Sequence, residues 1–161
     1  MSDRLDTTAT VIAITGSALM AGLWFFCSTA LMPALANRPV PEAIAAMQEV
    51  NVVILNPVFG LVFGGTTLLS LVLTIVTFFR LDRPASGLLL AAAIVFFVGT
   101  FVVTMALNVP LNDQLAAVDP ASAAGAEVWE NFLSRWNLWN NVRLLSSTAS
   151  VVLFAIYLIR R

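Results

Sequence analysis

The chain has 161 residues, of which 60% are hydrophobic and 11% charged, with a formal net charge of −1. A soluble domain typically carries about 25% charged residues, so this chain cannot cover a water-facing surface. That excludes a soluble enzyme, a disordered scaffold and a nucleic-acid binder, the last for want of any basic patch. His is absent, which removes the commonest general base and metal ligand. The single cysteine, Cys27, excludes an intramolecular disulfide and a Cys-x-x-Cys pair, and no metal or cofactor motif is present.

Four charge-poor stretches predict an all-α integral membrane four-helix bundle, a single transmembrane domain over 1–161. The first, Thr7 to Asn37, predicts a helix over 8–36 closed by Pro33. Ala34 and Ala36 resemble a signal-peptide cleavage site. The apolar run is nevertheless far longer than the ~7–15 residues of a signal peptide, and Asp3 and Asp6 sit in its leader, so an uncleaved span is expected. In the second stretch Pro41 suits a first helical turn, and only Pro57 interrupts a helix expected over 42–80. The third is expected over 84–108, closed by Pro110; the fourth over 122–160, with Asp119 as N-cap before Pro120. Helices two and four, about 40 residues each, would measure ~60 Å and project beyond the bilayer on the non-cytoplasmic side. The alternation of short and long helices suggests a faint duplication of a two-helix unit. Small residues four apart (Ser17/Ala21, Ala18/Gly22 and Gly60/Gly64, followed by Gly65) predict close packing inside the bundle, with homo-oligomer formation as a second use.

Orientation follows from the arginines. Arg4, Arg80, Arg83, Arg160 and Arg161 fall on one side, and Arg38, Arg135 and Arg143 on the other. The excess places both termini in the cytoplasm of a multi-pass protein, in a bacterial inner or plasma membrane, surrounded by membrane lipids.

The informative polar residues gather at the outer ends: Asn51 and Asn56 on helix two, Asn108 and Asn112 flanking Pro110, and Asn140 with Arg143 on helix four. At 100° per residue, Trp129, Phe132, Trp136, Asn140, Arg143, Ser147 and Ser150 share one stripe. Such a stripe is a poor lipid surface and suits the lining of a polar, aromatic pocket. Only 16 uncharged residues, Leu144 to Ile159, follow Arg143 before the next arginine, so it lies near the hydrocarbon boundary. Its expected acceptors are the amides of Asn108 and Asn112, with Asp113 as a charged partner. The competing interpretation makes the tryptophans an interfacial belt and lets Arg143 snorkel to lipid phosphate. Trp24, Phe25 and Phe26 read as lipid-facing or core.

In chain order, the run from Gly16 to Met32-Pro33-Ala-Leu35, Met47-Gln-Glu-Val-Asn51, Asn56-Pro57, Asn108-Val-Pro-Leu-Asn112-Asp-Gln-Leu115 and Trp136-x-x-Trp139-Asn140-x-Val-Arg143 resemble the anthrone oxygenase-like membrane proteins. The resemblance covers nearly the whole chain and marks Asn51, Asn108, Pro110, Asn112, Trp136, Trp139, Asn140 and Arg143. It implies oxidation of anthrones to anthraquinones without a metal or flavin. One position departs: where a His is expected in many relatives, between the Asn and the Val-Arg of the last motif, this chain has Asn141.

Two functions of different class therefore stand open. In the first, a cofactor-independent oxygenase acts on an aromatic or quinol-like substrate. Arg143, Asn140, Asn108 and Asn112 stabilise an anion, Asp113 or Glu49 serves as base, and Trp136, Trp139, Asn51 and Asn56 bind the substrate. In the second, the same residues bind a lipid, quinone or other hydrophobic molecule without turnover, or the chain is a structural membrane subunit. A pore is disfavoured, because no span carries an ionisable residue at its middle.

Overall fold

In hydrocarbon each backbone N–H and C=O must find its partner within the chain, and the long charge-free runs meet that demand as helices. The computed structural model describes residues 3–161. The chain is 87% helix, with no strand among the described residues. Five helices follow in order. Helix α1 comprises Asp3–Phe26, a π turn at Cys27–Leu31 and Met32–Ala36. Helix α2 is Val40–Val53, and α3 is Pro57–Phe78 with a π turn at Gly60–Gly64. Helix α4 is Ser86–Ala116, with π turns at Phe97–Val102 and Thr104–Asn108, and α5 is Ala123–Arg160. All but α2 are long and apolar enough to cross a membrane, so this is a multi-pass membrane protein.

Three expectations need correction. The helix expected over 42–80 is two helices, broken at Asn56. That residue is extended (φ −101°, ψ 164°), and its Oδ1 accepts hydrogen bonds from the N–H groups of Val58 and Phe59, each at 3.0 Å. Asn56 is thus an N-cap with proline at the first helical position, and a residue before proline is disfavoured from helix. The spanning part of helix two is only 22 residues, and what extends beyond it is the separate α2.

Pro33 and Pro110, expected to end the first and third helices, lie inside them. Each follows closely on a π turn, where the carbonyl ladder is already shifted, so the ring meets a widened turn. The third helix accordingly reaches Ala116. The N-cap of α5 is Ser122, whose Oγ accepts from Gly125 N at 2.9 Å, while Asp119 Oδ1 holds the preceding loop through Ala121 N. At ~1.5 Å per residue, the 38 residues of α5 span about 57 Å, well beyond the hydrocarbon thickness.

The buried faces form three apolar layers along α5. At the α2 end, Ile44 and Met47 pack with Met32, Leu111, Leu115, Trp129, Phe132 and Trp136. In the middle are Met20, Trp24, Phe63 and Phe96; at the far end, Ala13, Leu73, Leu89, Ala92, Phe154 and Tyr157. Arg161 bonds the Thr7 hydroxyl, so the two ends of the chain share that far layer.

The small-residue groove is also placed differently from expectation. A Cβ added at Gly22, Gly60, Gly64 or Gly65 would meet nothing within 4 Å, and all four positions are exposed. Close approach occurs instead where Gly16 faces the Thr66 side chain and Gly99 faces Ser146. A four-residue spacing records that small residues share a face; which face meets a neighbour is set by the packing of the whole bundle.

Candidate functional site

The site is built on α5, whose stripe turns inward as a unit. Trp129, Phe132, Trp136, Asn140, Arg143, Ser147 and Ser150 are all buried. Trp129, Phe132 and Trp136 stack in series, with centroids 5.6 and 5.9 Å apart. They fill the layer under α2 and close the bundle above Arg143.

Arg143 is 3% exposed and lies between the upper and middle layers. Its guanidinium stacks on the Trp24 ring at 3.9 Å from the centroid and lies 5.1 Å from that of Trp136. Nη2 donates to Asn140 Oδ1 at 2.8 Å, and Nη1 makes a long contact of 3.4 Å to Thr104 Oγ1. Asn140 is fixed in turn, because its Nδ2 donates to the Trp24 carbonyl at 2.9 Å and to Ser28 Oγ at 2.6 Å. The ion pairs among the described residues are Arg38–Glu42 and Arg83–Asp6, so no carboxylate compensates Arg143.

An isolated buried cation costs several kcal/mol after relaxation, and each indole face returns about 2 kcal/mol or more when desolvated. The guanidinium has no carboxylate to neutralise its charge. Three buried polar atoms in the residues around it have no partner within the chain: Arg143 Nε, Trp24 Nε1 and Asn108 Oδ1. Two are donors. The combination of a fixed cation, spare N–H groups and two indole walls is chemically suited to an anionic oxygen carried on a planar ring.

Of the other residues singled out in the sequence, Asn108 is fully buried, and its Nδ2 donates to the Trp136 carbonyl at 3.3 Å. Asn112 Oδ1 accepts from Trp136 Nε1 at 2.8 Å. Asn112 therefore orients the Trp136 indole and Asn108 holds its backbone carbonyl, whereas the acceptors expected for Arg143 from these two residues are supplied by Asn140 and Thr104. Asp113 and Glu49 are exposed, and neither pairs with the guanidinium. Trp139 is half-buried on another face of α5, toward Pro110 and Arg135. Asn51 is half-buried on α2 with Nδ2 unpartnered, and Asn56 is the exposed cap already described. Among the described residues no three His, Cys, Asp or Glu side chains group as a metal-ligand set.

Sequence reasoning missed Trp24, Ser28 and Thr104. Trp24 and Ser28 are one helical turn apart, so an aromatic and a hydroxyl shared a face of α1; that was the available signal. Asn141, at the position where relatives are expected to carry His, accepts from Ser28 Oγ at 2.7 Å and thus borders this network. Asn56→Ala should cost about 1 kcal/mol, as loss of an N-cap does. Thermal melting in detergent measures it; an unchanged melting temperature would show that the cap contributes nothing to the start of α3.

A family model described as anthrone oxygenase matches residues 56–153. Asn140, Thr104 and Arg143 lie inside that match, and Trp24 outside it. Comparison with curated proteins and with solved structures returns no match.

Proposed function

The chain belongs to the anthrone oxygenase family, and from that premise we propose a cofactor-independent oxygenase that acts on an acidic aromatic or quinol-like substrate bound as its anion at Arg143. The observation that carries this reading is the buried guanidinium between Trp24 and Trp136 with no carboxylate partner. A group so placed favours the deprotonated substrate over the neutral one, which is the step such a reaction needs most.

The reaction balances without a cofactor. A methylene flanked by two aryl rings and conjugated through them to the carbonyl across the ring loses a proton to water, and the negative charge delocalises onto that carbonyl oxygen, held by Arg143. The carbanion adds O2, forming a C–O bond, and the peroxide anion takes up a proton. Loss of water across the O–O bond leaves a carbonyl. In sum, each methylene consumes one O2 and yields one carbonyl and one water. Neither Asp113 nor Glu49 is needed as base, because stabilising the anion lowers the demand on the proton acceptor.

In the membrane we place both termini in the cytoplasm, on the arginine asymmetry, so the α2 end and the Arg143 layer lie toward the opposite side. Reporter fusions at residues 118 and 161 should then report opposite sides, the latter cytoplasmic; a cytoplasmic signal from residue 118 would invert the assignment.

The enzyme reading is tested with the purified full chain, an anthrone and an oxygen electrode. Consumption of one O2 per quinone formed, at a rate proportional to protein and absent after heating, is the expected result. Saturable binding of the anthrone with oxygen uptake no faster than the buffer control would instead support the second reading, a non-catalytic binder.

A further inference from the structure

A groove on the lipid-facing side of the bundle is independent of the Arg143 layer. It measures about 120 Å³ and lies between α4 and α5, lined by Ala106, Leu107, Pro110, Leu111, Gln114, Arg135 and Trp139. Arg135 and Trp139 are one turn apart on α5, and the α4 residues follow at helical spacing, so two complementary faces meet there. The helices come into close contact at Gly99 and Ser146. Ser146 lies eleven residues from Arg135, or ~16 Å along α5, so the groove is a wedge closed at its deep end and open at its outer end. Leu111, buried in the same apolar layer as Trp136, lines the groove, and Trp136 does not.

The polar groups are all at the open end. Arg135 is exposed and makes no hydrogen bond or ion pair among the described residues, and Gln114 is exposed beside it. Neither Asp113 nor Glu130 lines the groove. Below lie Pro110, Leu107 and the half-buried Trp139, and the surrounding surface is apolar, with Met105 50% and Leu138 56% exposed. Tryptophan with arginine one turn outward matches the order of a membrane interface, aromatic ring at headgroup level and cation at the phosphate. Charge and continuity with the lipid-facing surface both identify the occupant as a lipid already in the bilayer.

We propose that the Arg135–Gln114–Trp139 groove is a binding site for an acidic phospholipid, its phosphate on Arg135 and Gln114 and the start of its acyl chain on Leu107 and Pro110. One arginine near a lipid phosphate contributes about 1 kcal/mol, which corresponds to roughly fivefold in occupancy.

The test is native mass spectrometry of the full chain in detergent with phosphatidylglycerol, phosphatidylcholine of the same acyl chains, or glycerol 3-phosphate. Phosphatidylglycerol should be retained about fivefold over phosphatidylcholine. Arg135→Gln should remove that preference, and Leu107→Trp should remove it with every charge in place. Arg38→Gln, at another outer arginine already paired with Glu42, should keep it, and so should Arg143→Met. Equal retention of both lipids, a preference that survives Arg135→Gln, or glycerol 3-phosphate bound as well as the lipid would each overturn the proposal.

Discussion

Asn140→Ala should destabilise the protein more than Arg143→Met, although the arginine is the larger side chain. Asn140 makes three hydrogen bonds at 2.6–2.9 Å, to Arg143, the Trp24 carbonyl and Ser28. Its truncation strands the guanidinium on the 3.4 Å contact to Thr104. Losing a hydrogen bond to a charged group costs about 1.5–3 kcal/mol and each neutral one about 1 kcal/mol, together on the order of 10 °C in melting temperature for a chain of this size. Arg143→Met removes the charge together with its desolvation cost and sets a thioether against Trp24 and Trp136, a favourable sulfur–aromatic contact. It leaves Asn140 Oδ1 without its donor, a penalty of about 1–3 kcal/mol that the relieved desolvation offsets. The double variant Asn140→Ala/Arg143→Met should accordingly melt higher than Asn140→Ala alone. Melting by scattering or by tryptophan fluorescence in detergent ranks the three. If Arg143→Met proves as damaging as Asn140→Ala, and the double variant worse than either, the guanidinium is a structural strut.

The second large effect separates two kinds of glycine. At Gly16 and Gly99 even a methyl group overlaps the side chains of Thr66 and Ser146 on neighbouring helices. Alanine at either should cost about 1–3 kcal/mol, the usual range for overpacking, and leucine should prevent assembly of the bundle. At Gly60 and Gly64 the added atom meets open space, so leucine is tolerated, and alanine should stabilise by about 0.5–1 kcal/mol through helix propensity. Yield of folded protein on gel filtration, followed by melting temperature, measures the series. A loss at Gly60 or Gly64 matching that at Gly99 would show that this exposed face packs against a second copy of the chain.

The two glycine groups also show where sequence reasoning stops. Periodicity within one helix is a local property, so the stripe from Trp129 to Ser150 is legible from residue spacing alone, and all seven of its residues are buried. Four spans were legible for the same reason, since charge-free length needs no neighbour to interpret it. Contacts between helices depend on rotation and depth, which the π turns alter by fractions of a turn. That is why Asn108 and Asn112 bond to Trp136, at its backbone carbonyl and its indole, while Thr104, one turn earlier on α4, faces the guanidinium. Trp24, read as lipid-facing or core, is core, but its stacking on Arg143 was not legible, because a single tryptophan in an apolar helix carries no signal of its partner. The break at Asn56 was legible as an Asn-Pro cap and was overridden by the apolar run on either side. Asn141, where the resemblance implies a His, sits at the edge of the Ser28 network.

The claim that organises this account is that Arg143 is a binding group for an anion. Equilibrium titration of tryptophan fluorescence with a hydroxyanthraquinone, an anionic product-like ligand that cannot turn over, tests it most directly. Trp24 and Trp136 flank the guanidinium, so bound ligand should quench saturably. Loss of one partner of a buried charge pair costs about 2–5 kcal/mol, so Kd should rise at least roughly 30-fold in Arg143→Met. The same Kd in Arg143→Met and the parent protein would contradict the account.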